Sequence, residues 1–372
     1  MSIFSSKNES YRGIDLGTSS IKICELANVG GRPRLVTYGF NEKNTGNAGN
    51  DNLLNKVEET ALAIKDICEK SSTTSRKVIT ALPNFSVFSS ILNLPSLPKK
   101  ELASAISWEA KKIIPTPLDE VILDWKIIDE IESAGGKDTS LSPDNPQQTT
   151  SFKRIFSKSH KNLRILLTGA NKTLVKKYID IFGKANLNLL SLETENFALI
   201  RSLVGNDKST ILLIDLGATT SSITVVEKGI PVLSRSLELG GLMITKAVSV
   251  SLNINLDRAE QFKQDMSLDN ETADNSLPQT VEKSFEAILH EIKYTISLYN
   301  GQNKGKIEKI ILSGGSSLLG HLPKYLSDIL GINTYVGDPW ARIIFPMELK
   351  PILDKIGAKF AVAIGLAMRD IS

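Results

Sequence analysis

Apolar and polar positions alternate in short runs along this chain, and the runs switch repeatedly between a two-residue and a 3.6-residue period. Strand-like runs fall at Tyr11–Ile14, Ile21–Leu26, Lys77–Ala81, Val121–Ile128, Leu163–Gly169, Ile211–Asp215, Ser221–Val226, Pro231–Leu237 and Ile307–Ser313. Helical spacing falls at Asp51–Lys70, Lys99–Ile114, Lys172–Ala185, Glu195–Val204, Gly241–Leu252, Thr280–Asn300, Leu318–Leu330 and Gly357–Met368. Strands interleaved with helices predict α/β lobes built on largely buried sheets. Three stretches carry too few apolar residues to pack a core: Asn41–Asp51, Glu132–His160 and Gln264–Thr280. They read as surface loops inside lobes, the middle one being the best candidate for disorder.

One internal echo sharpens this picture. Ile14-Asp15-Leu16-Gly17-Thr18 recurs as Ile214-Asp215-Leu216-Gly217-Ala218, 200 residues later. Each copy follows an apolar strand and precedes small hydroxyl residues and a second strand, SSIKICEL in one half and TTSSITVVE in the other. That pattern predicts a β-hairpin in both halves. Glycine lets a backbone turn approach a phosphate closely, and exposed amides with Ser or Thr hydroxyls supply donors to its oxygens. A carboxylate at the strand end can hold Mg²⁺ directly or through its waters. One copy alone reads more readily as an ordinary hairpin. Two copies, at the starts of two α/β halves, favour a clamp on a triphosphate from both sides.

Other residues add to the clamp or fall outside it. Lys22, seven residues after Asp15, lies on the outgoing strand where an ammonium reaches phosphate. Ser313-Gly314-Gly315-Ser316-Ser317 ends an apolar strand and opens a helical pattern, a turn whose amides accept an anion or face a flat base. His160, His290 and His321 are scattered without helical pairing, which argues against a metal cluster, and His321 reads as a surface or helix-cap residue. Cys24 reads as core, as does Trp108 on a helix whose apolar positions are Leu102, Ala105, Ile106, Ala110 and Ile113. Lys99-Lys100 and Lys111-Lys112 read as solvated faces.

The 372 residues suit two to three structural units, and 41% hydrophobic with 23% charged residues is globular composition. With 44 basic against 41 acidic residues, the net charge of +3 gives no strong field for nucleic acid or acidic lipid. No apolar run approaches a membrane span, the N-terminus lacks a signal-peptide core, and two cysteines are too few for a disulfide framework or a zinc site. These features predict a soluble, cytoplasmic chain.

DLGTSSIK, DLGATT, SGGSSLLGHLP and the closing FAVAIGLAM resemble, in order and spacing, the phosphate-1, phosphate-2, adenosine and final-helix elements of the actin, Hsp70 and sugar-kinase superfamily. LELGGLMITKAVSVSLNINLDRAEQFK is similar to the segment after phosphate-2 in FtsA and PilM proteins. ISWEAKKIIPTPLDEVILDWKII resembles the segment that builds the inserted subdomain 1C of the PilM family, and LETENFALIRSL its first connecting segment. The resemblance covers most of the chain.

What it implies is an actin-like, ribonuclease H-like two-lobed fold with a nucleotide cleft between the lobes. Subdomain 1A would comprise residues 1–84 and 168–200 with the helix 354–372 packing back. Subdomain 1C would be 85–167 with a flexible loop at 132–160, 2A would be 201–240 and 307–353, and 2B would be 241–306. Asp15 and Asp215 would organise Mg²⁺ and its waters. Gly17, Thr18, Ser19 and Lys22 would hold phosphates from one side, and Gly217, Ala218 and Thr219 from the other. Glu260 and Lys263 would contact ribose or base, and Gly314, Gly315 and Ser316 would flank the adenine of ATP or ADP. Glu195 falls where superfamily hydrolases position the attacking water, though an acidic residue also favours a helix start. Whether ATP is slowly hydrolysed or serves as a switch stays open at this level.

In that family the protein is cytoplasmic, peripheral to the inner membrane, and captures the cytoplasmic tail of the membrane protein PilN. The 1A/1C face would hold the peptide, with pilus motor ATPases or the platform protein as further partners, self-assembly open, and no nucleic acid. Two alternatives stand beside this: an FtsA-like filament-forming ATPase, whose usual amphipathic membrane helix does not follow the closing helix here, and a small-molecule kinase, for which no substrate motif is visible.

Overall fold

The computed structural model describes residues 9–42, 53–132, 161–265, 277–302 and 305–371. Most of the three polar stretches, including residues 133–160, lies outside these, so the expectation of disorder there falls beyond the described residues.

The strands in chain order are β1 (Ser10–Leu16), β2 (Ser20–Val29), β3 (Arg32–Glu42), β4 (Lys77–Leu82), β5 (Val87–Pro95), β6 (Val121–Glu132) and β7 (Lys161–Asn171). Then come β8 (Asn188–Thr194), β9 (Ile211–Leu216), β10 (Ser221–Glu227), β11 (Ile230–Leu237), β12 (Lys309–Ser313) and β13 (Thr334–Val336). The helices are α1 (Val57–Lys70), α2 (Lys99–Ile113), α3 (Lys172–Lys184), α4 (Glu195–Leu199), α5 (Gly241–Leu252), α6 (Leu256–Asp265), α7 (Gln279–Gly301), α8 (Leu322–Leu330) and α9 (Lys350–Ala367). The chain divides into two compact units, one of the described residues up to 87 and from 173 onward, the other of residues 88–172.

The first unit holds two five-stranded sheets with the same strand order: β3-β2-β1-β4-β8 and β11-β10-β9-β12-β13. In both, three antiparallel strands form a meander. The fourth and fifth strands then add in parallel beside the first. Parallel neighbours need a crossover, and α1 supplies one in the first sheet. The duplication heard in the two Asp-Leu-Gly turns therefore extends to topology.

Helix α9 explains why its closing run is apolar all round. Phe360, Ala361, Ala363, Ile364, Leu366 and Ala367 are nearly without solvent exposure in a core shared with Cys24, Leu26, Ile79, Ala198 and Leu199. The approach to β1 is so close that a Cβ on Gly13 would sit 1.8 Å from the Ala363 carbonyl oxygen, and one on Gly365 would sit 1.9 Å from that of Ala198. A second core joins Leu212, Ile214, Ile223 and Val225 of the other sheet to Ile244 and Val248 of α5 and Phe285, Ile288 and Ile292 of α7.

The second unit is a three-stranded sheet in the order β5-β7-β6 with α2 on it. Leu102, Ile106 and Ala110, four residues apart, bury one stripe against Leu92, Leu94, Leu163, Ile165 and Leu167. Trp108 corrects the expectation of a core residue. Two residues past Ile106 it points about 200° away from that stripe, stays 62% exposed, and carries the Lys112 ammonium 3.3 Å over its ring. Ile113 is likewise exposed.

Candidate functional site

Both repeated hairpins form, and their register sets the chemistry. In the first, Asp15 pairs with Lys22 across the strands, and Lys22 Nζ donates to Asp15 Oδ2 at 3.1 Å. In the second, Asp215 pairs with Ser222. On its other side Asp215 neighbours Ser313 of β12 in the parallel pairing.

A cavity of about 230 Å³ opens onto both turns. It is lined by Asp15, Gly17, Thr18, Ser19 and Lys22 from the first hairpin, and by Asp215, Gly217 and Ala218 from the second. Glu195, Glu260, Lys263, Gly314, Gly315 and Ser316 complete the expected set. Thr219 is the exception: it sits at the tip of the four-residue turn closed by Gly217 N–H donating to Thr220 O, and Thr220 lines the cavity instead.

Glycine is required where these turns meet their neighbours. Gly314 has φ of 84°, and a Cβ there would lie 2.4 Å from the Leu216 carbonyl oxygen, so the SGGSS turn lies flat on the second hairpin. The start of α5 is also fastened to that hairpin, through Gly241 N–H to Gly217 O at 2.9 Å and Leu242 N–H to Ala218 O at 2.8 Å.

The cavity is lined by four carboxylates, Asp15, Glu195, Asp215 and Glu260, and three lysines, Lys22, Lys263 and Lys359. Burial and the neighbouring charges of Asp15 and Asp215 push the Glu195 carboxyl up to about 8, against a hydrogen bond from Asn84 N–H and the charge of Lys22. Burial and Asp15 push Asp215 up to about 6, against Ser313 and Lys22. Glu195 begins α4 and lines the same cavity as the two aspartates.

Lys263 and Glu260 form a half-enclosed pair at 2.6 Å. Lys263 Nζ also donates to Thr245 Oγ1 at 2.8 Å and Gly241 O at 3.2 Å, beside Ser316. Burial lowers the Lys263 ammonium against the pull of Glu260, while in Glu260 burial is outweighed by Lys263 and by hydrogen bonds, so that carboxyl titrates low.

Several lining residues escaped the sequence reading: Asn84, Ser222, Gln264 and Lys359. Asn84 follows Pro83 in an unremarkable LPN turn, and nothing in its spacing marks it. Lys359 left a usable signal, being the last cation before the unbroken apolar run Phe360–Met368. Among the described residues, no group of three His, Cys, Asp or Glu side chains is arranged to hold a metal ion by itself. Nor is any helix among them long and apolar enough to cross a membrane.

Two sheets of identical order, each opening with an Asp-Leu-Gly hairpin onto one cavity, define the actin-like ATPase fold. A family model described as type IV pilus assembly protein PilM matches residues 13–142 and 151–371, and the chain belongs to that family. It is thus an actin-like protein of type IV pilus assembly. The structure is similar to that of a PilM-PilN type IV pilus biogenesis complex, with a TM-score of 0.77 at 24% identity over 97% of this chain and 98% of that one. It is also similar in fold to the ethanolamine utilization protein EutJ from Carboxydothermus hydrogenoformans, with a TM-score of 0.55 at 15% identity over 97% and 89% of the two chains. In sequence it is 22% identical over 275 residues to the cell division protein FtsA of Bacillus subtilis (strain 168), a match that takes in 70% of this chain but spans only 58% of that relative's length.

Proposed function

We propose that the cleft binds ATP or ADP with Mg²⁺ and that the protein is a nucleotide-dependent scaffold of the pilus machinery. The observation that carries this reading is the convergence of Asp15, Asp215 and Glu195 on one cavity whose walls are two glycine turns. Three carboxylates share the cavity with Lys22, and burial first and then their mutual repulsion raise Glu195 and Asp215. A divalent cation would relieve that repulsion. The donor set suits Mg²⁺, which takes one or two carboxylates and completes its shell with water and phosphate oxygens, and so needs no three-residue protein cluster.

In this reading Asp15 and Asp215 hold the ion through its waters. Gly17, Thr18, Ser19 and Lys22 would take phosphate oxygens from one side, and Gly217, Ala218 and Thr220 from the other. Gly314, Gly315 and Ser316 lie against the base, while Glu260 and Lys263 face the ribose or base. An ion held there would supply charge neutralisation for the phosphates. In this reading Glu195 would orient a water if ATP is slowly hydrolysed, and a purely switching nucleotide is the alternative.

The partner is proposed to be the cytoplasmic N-terminal tail of PilN, since the similar structure noted above is of a PilM-PilN complex. The surface for it is proposed as the 1A/1C face, with 1C at 85–167, 1A at 1–84 and 168–200 plus the helix 354–372, 2A at 201–240 and 307–353, and 2B at 241–306. Through that tail the chain would sit at the inner membrane on its cytoplasmic side and link it to the pilus motor. Calorimetric titration with a synthetic PilN tail, with and without Mg·ATP, tests this. Binding that tightens with nucleotide supports a gated adaptor, and absence of peptide binding in both conditions removes the partner assignment.

A further inference from the structure

A polar cluster beside the cleft is unused by the reading above: the amides of half-buried Asn84 and buried Asn196, with the hydroxyls of buried Ser222 and Thr224 and of exposed Ser234. We infer that Asn84 is a positioning residue, which sets the Glu195 carboxylate toward the two aspartates and ties that setting to the second hairpin. This rests on the nucleotide-binding reading and adds the residue through which cleft occupancy reaches across the two sheets.

Asn84 opens a short 3₁₀ turn, Asn84–Ser86, directly after β4 and Pro83. Its main-chain N–H donates to Glu195 Oε2 at 2.9 Å, the one hydrogen bond that carboxylate receives among the described residues. Its side chain works at both ends. Nδ2 donates to Asn196 Oδ1 at 3.0 Å and to Ser222 Oγ at 3.3 Å, and Oδ1 accepts from Asn196 N–H at 3.3 Å. One side-chain amide therefore grips the first turn of α4, which carries Glu195, and the residue of β10 that stands across from Asp215.

Asn196 extends the grip. It donates through Nδ2 to Ser234 Oγ of β11 at 3.0 Å and accepts from Thr224 Oγ1 of β10 at 3.0 Å. Asn196, Ser222 and Thr224 are all buried, so the bonds among Asn84, Asn196, Ser222 and Thr224 are costly to leave unmade.

Glu195 lines the same cavity as Asp15 and Asp215, and the Asn84 N–H holds its carboxylate there. The anchor reaches from the end of β4 in the first sheet to β10 in the second, so a shift of one hairpin against the other acts first on the Asn84–Ser222 contact. At 3.3 Å that bond is at the long end of the range and is the natural one to shorten when the hairpins close on a ligand.

Hydrogen exchange and calorimetry on the full chain, with and without Mg·ADP, test this. In the wild type, nucleotide should slow exchange in the hairpin 11–26 and, together with it, in 80–86 and 221–226. Asn84→Ala should bind nucleotide roughly tenfold more weakly, on the scale of the three part-buried side-chain hydrogen bonds it loses. At saturation it should protect 11–26 while losing the added protection of 221–226. A role in general stability would lower protection everywhere instead. Ser222→Ala, the milder change should Asn84→Ala fail to fold, should show the same local pattern, and the double variant should bind no worse than Asn84→Ala. Wild-type affinity and protection in both single variants, or fully additive losses, would overturn the assignment. No Mg·ADP binding by the wild type would remove the nucleotide reading first and this inference with it.

Discussion

Lys22 Nζ lies 3.1 Å from Asp15 Oδ2, straight across the first hairpin, and it bonds the carboxylate that most directly burdens Glu195 and Asp215. The corresponding place in the second hairpin holds Ser222, so Asp215 has a hydroxyl where Asp15 has an ammonium. The two repeats thus share a backbone and differ in charge, and the difference leaves the cleft acidic on one side.

Removing one acid should therefore have opposite effects on stability and on binding. Asp215→Asn is expected to raise the melting temperature of the ligand-free protein by a few degrees, because a repelled, desolvated carboxylate is replaced by its neutral isostere. The same variant should lose Mg·ATP binding by about 100-fold or more. Differential scanning fluorimetry with and without Mg·ATP reads both. A destabilised variant with unchanged affinity would make Asp215 structural.

The acid cluster also predicts a pH slope. Glu195 and Asp215 have folded-state values above their ordinary ones, about 8 against 4.5 and about 6 against 3.8. A raised carboxyl binds its proton more tightly when folded, so its contribution is fully present below the unfolded value and is lost as pH rises through the folded value. Ligand-free stability should fall between about pH 3.8 and 6 through Asp215 and between about pH 4.5 and 8 through Glu195, by up to about 1.4 kcal/mol per pH unit for each group titrating. Urea unfolding at pH 5, 6.5 and 8 checks the sign. Mg·ATP affinity should run the other way, rising with pH as the cluster sheds protons.

Gly314→Ala should cost about 2–4 kcal/mol, since φ of 84° is strained for alanine and its Cβ would meet the Leu216 carbonyl oxygen. Gly315→Ala, whose nearest neighbour is the flexible Lys359 side chain at 3.6 Å, should cost well under half of that. Equal losses in denaturant melts would contradict the close approach of this turn to the second hairpin.

In the second unit, Ile106→Ala should cost about 2–4 kcal/mol and Trp108→Ala less than about 0.5 kcal/mol, because the first is in the core and the second is exposed. The comparison by chemical denaturation is direct, and a large loss at Trp108 would mean that its ring packs on something the fold conceals.

How far the sequence carried depends on which residues are asked about. The hairpins around Asp15 and Asp215 were legible because a tight turn between two apolar strands is a local pattern, and its repetition cannot be produced by one packing accident. Helices α5 and α7 came out within a residue or so of their ends for the same reason of strong, bounded periodicity. Strands β3, β5, β8 and β13 were not foreseen. β3 carries Pro33 and Gly39 and sits at a sheet edge with Val36 and Phe40 exposed, so its alternation is diluted. β13 has three residues and exists only through its pairing with β12.

Trp108 was misread because periodicity alone assigned every large apolar residue of α2 to one face. Within the site, residues recognised by motif were found, and Asn84 was not. Its role comes from contacts with Glu195, Asn196 and Ser222, more than 100 positions away in the chain, and a contact of that range leaves no local mark.

Calorimetric titration of the purified wild-type chain with Mg·ATP, alongside Asp15→Ala, bears most directly on whether the cleft is a nucleotide site. A single-site isotherm at micromolar affinity that disappears in the variant while its fold persists is the expected result. A wild-type protein that releases no heat with Mg·ATP or Mg·ADP, or an Asp15→Ala variant that binds as tightly as the wild type, would contradict it.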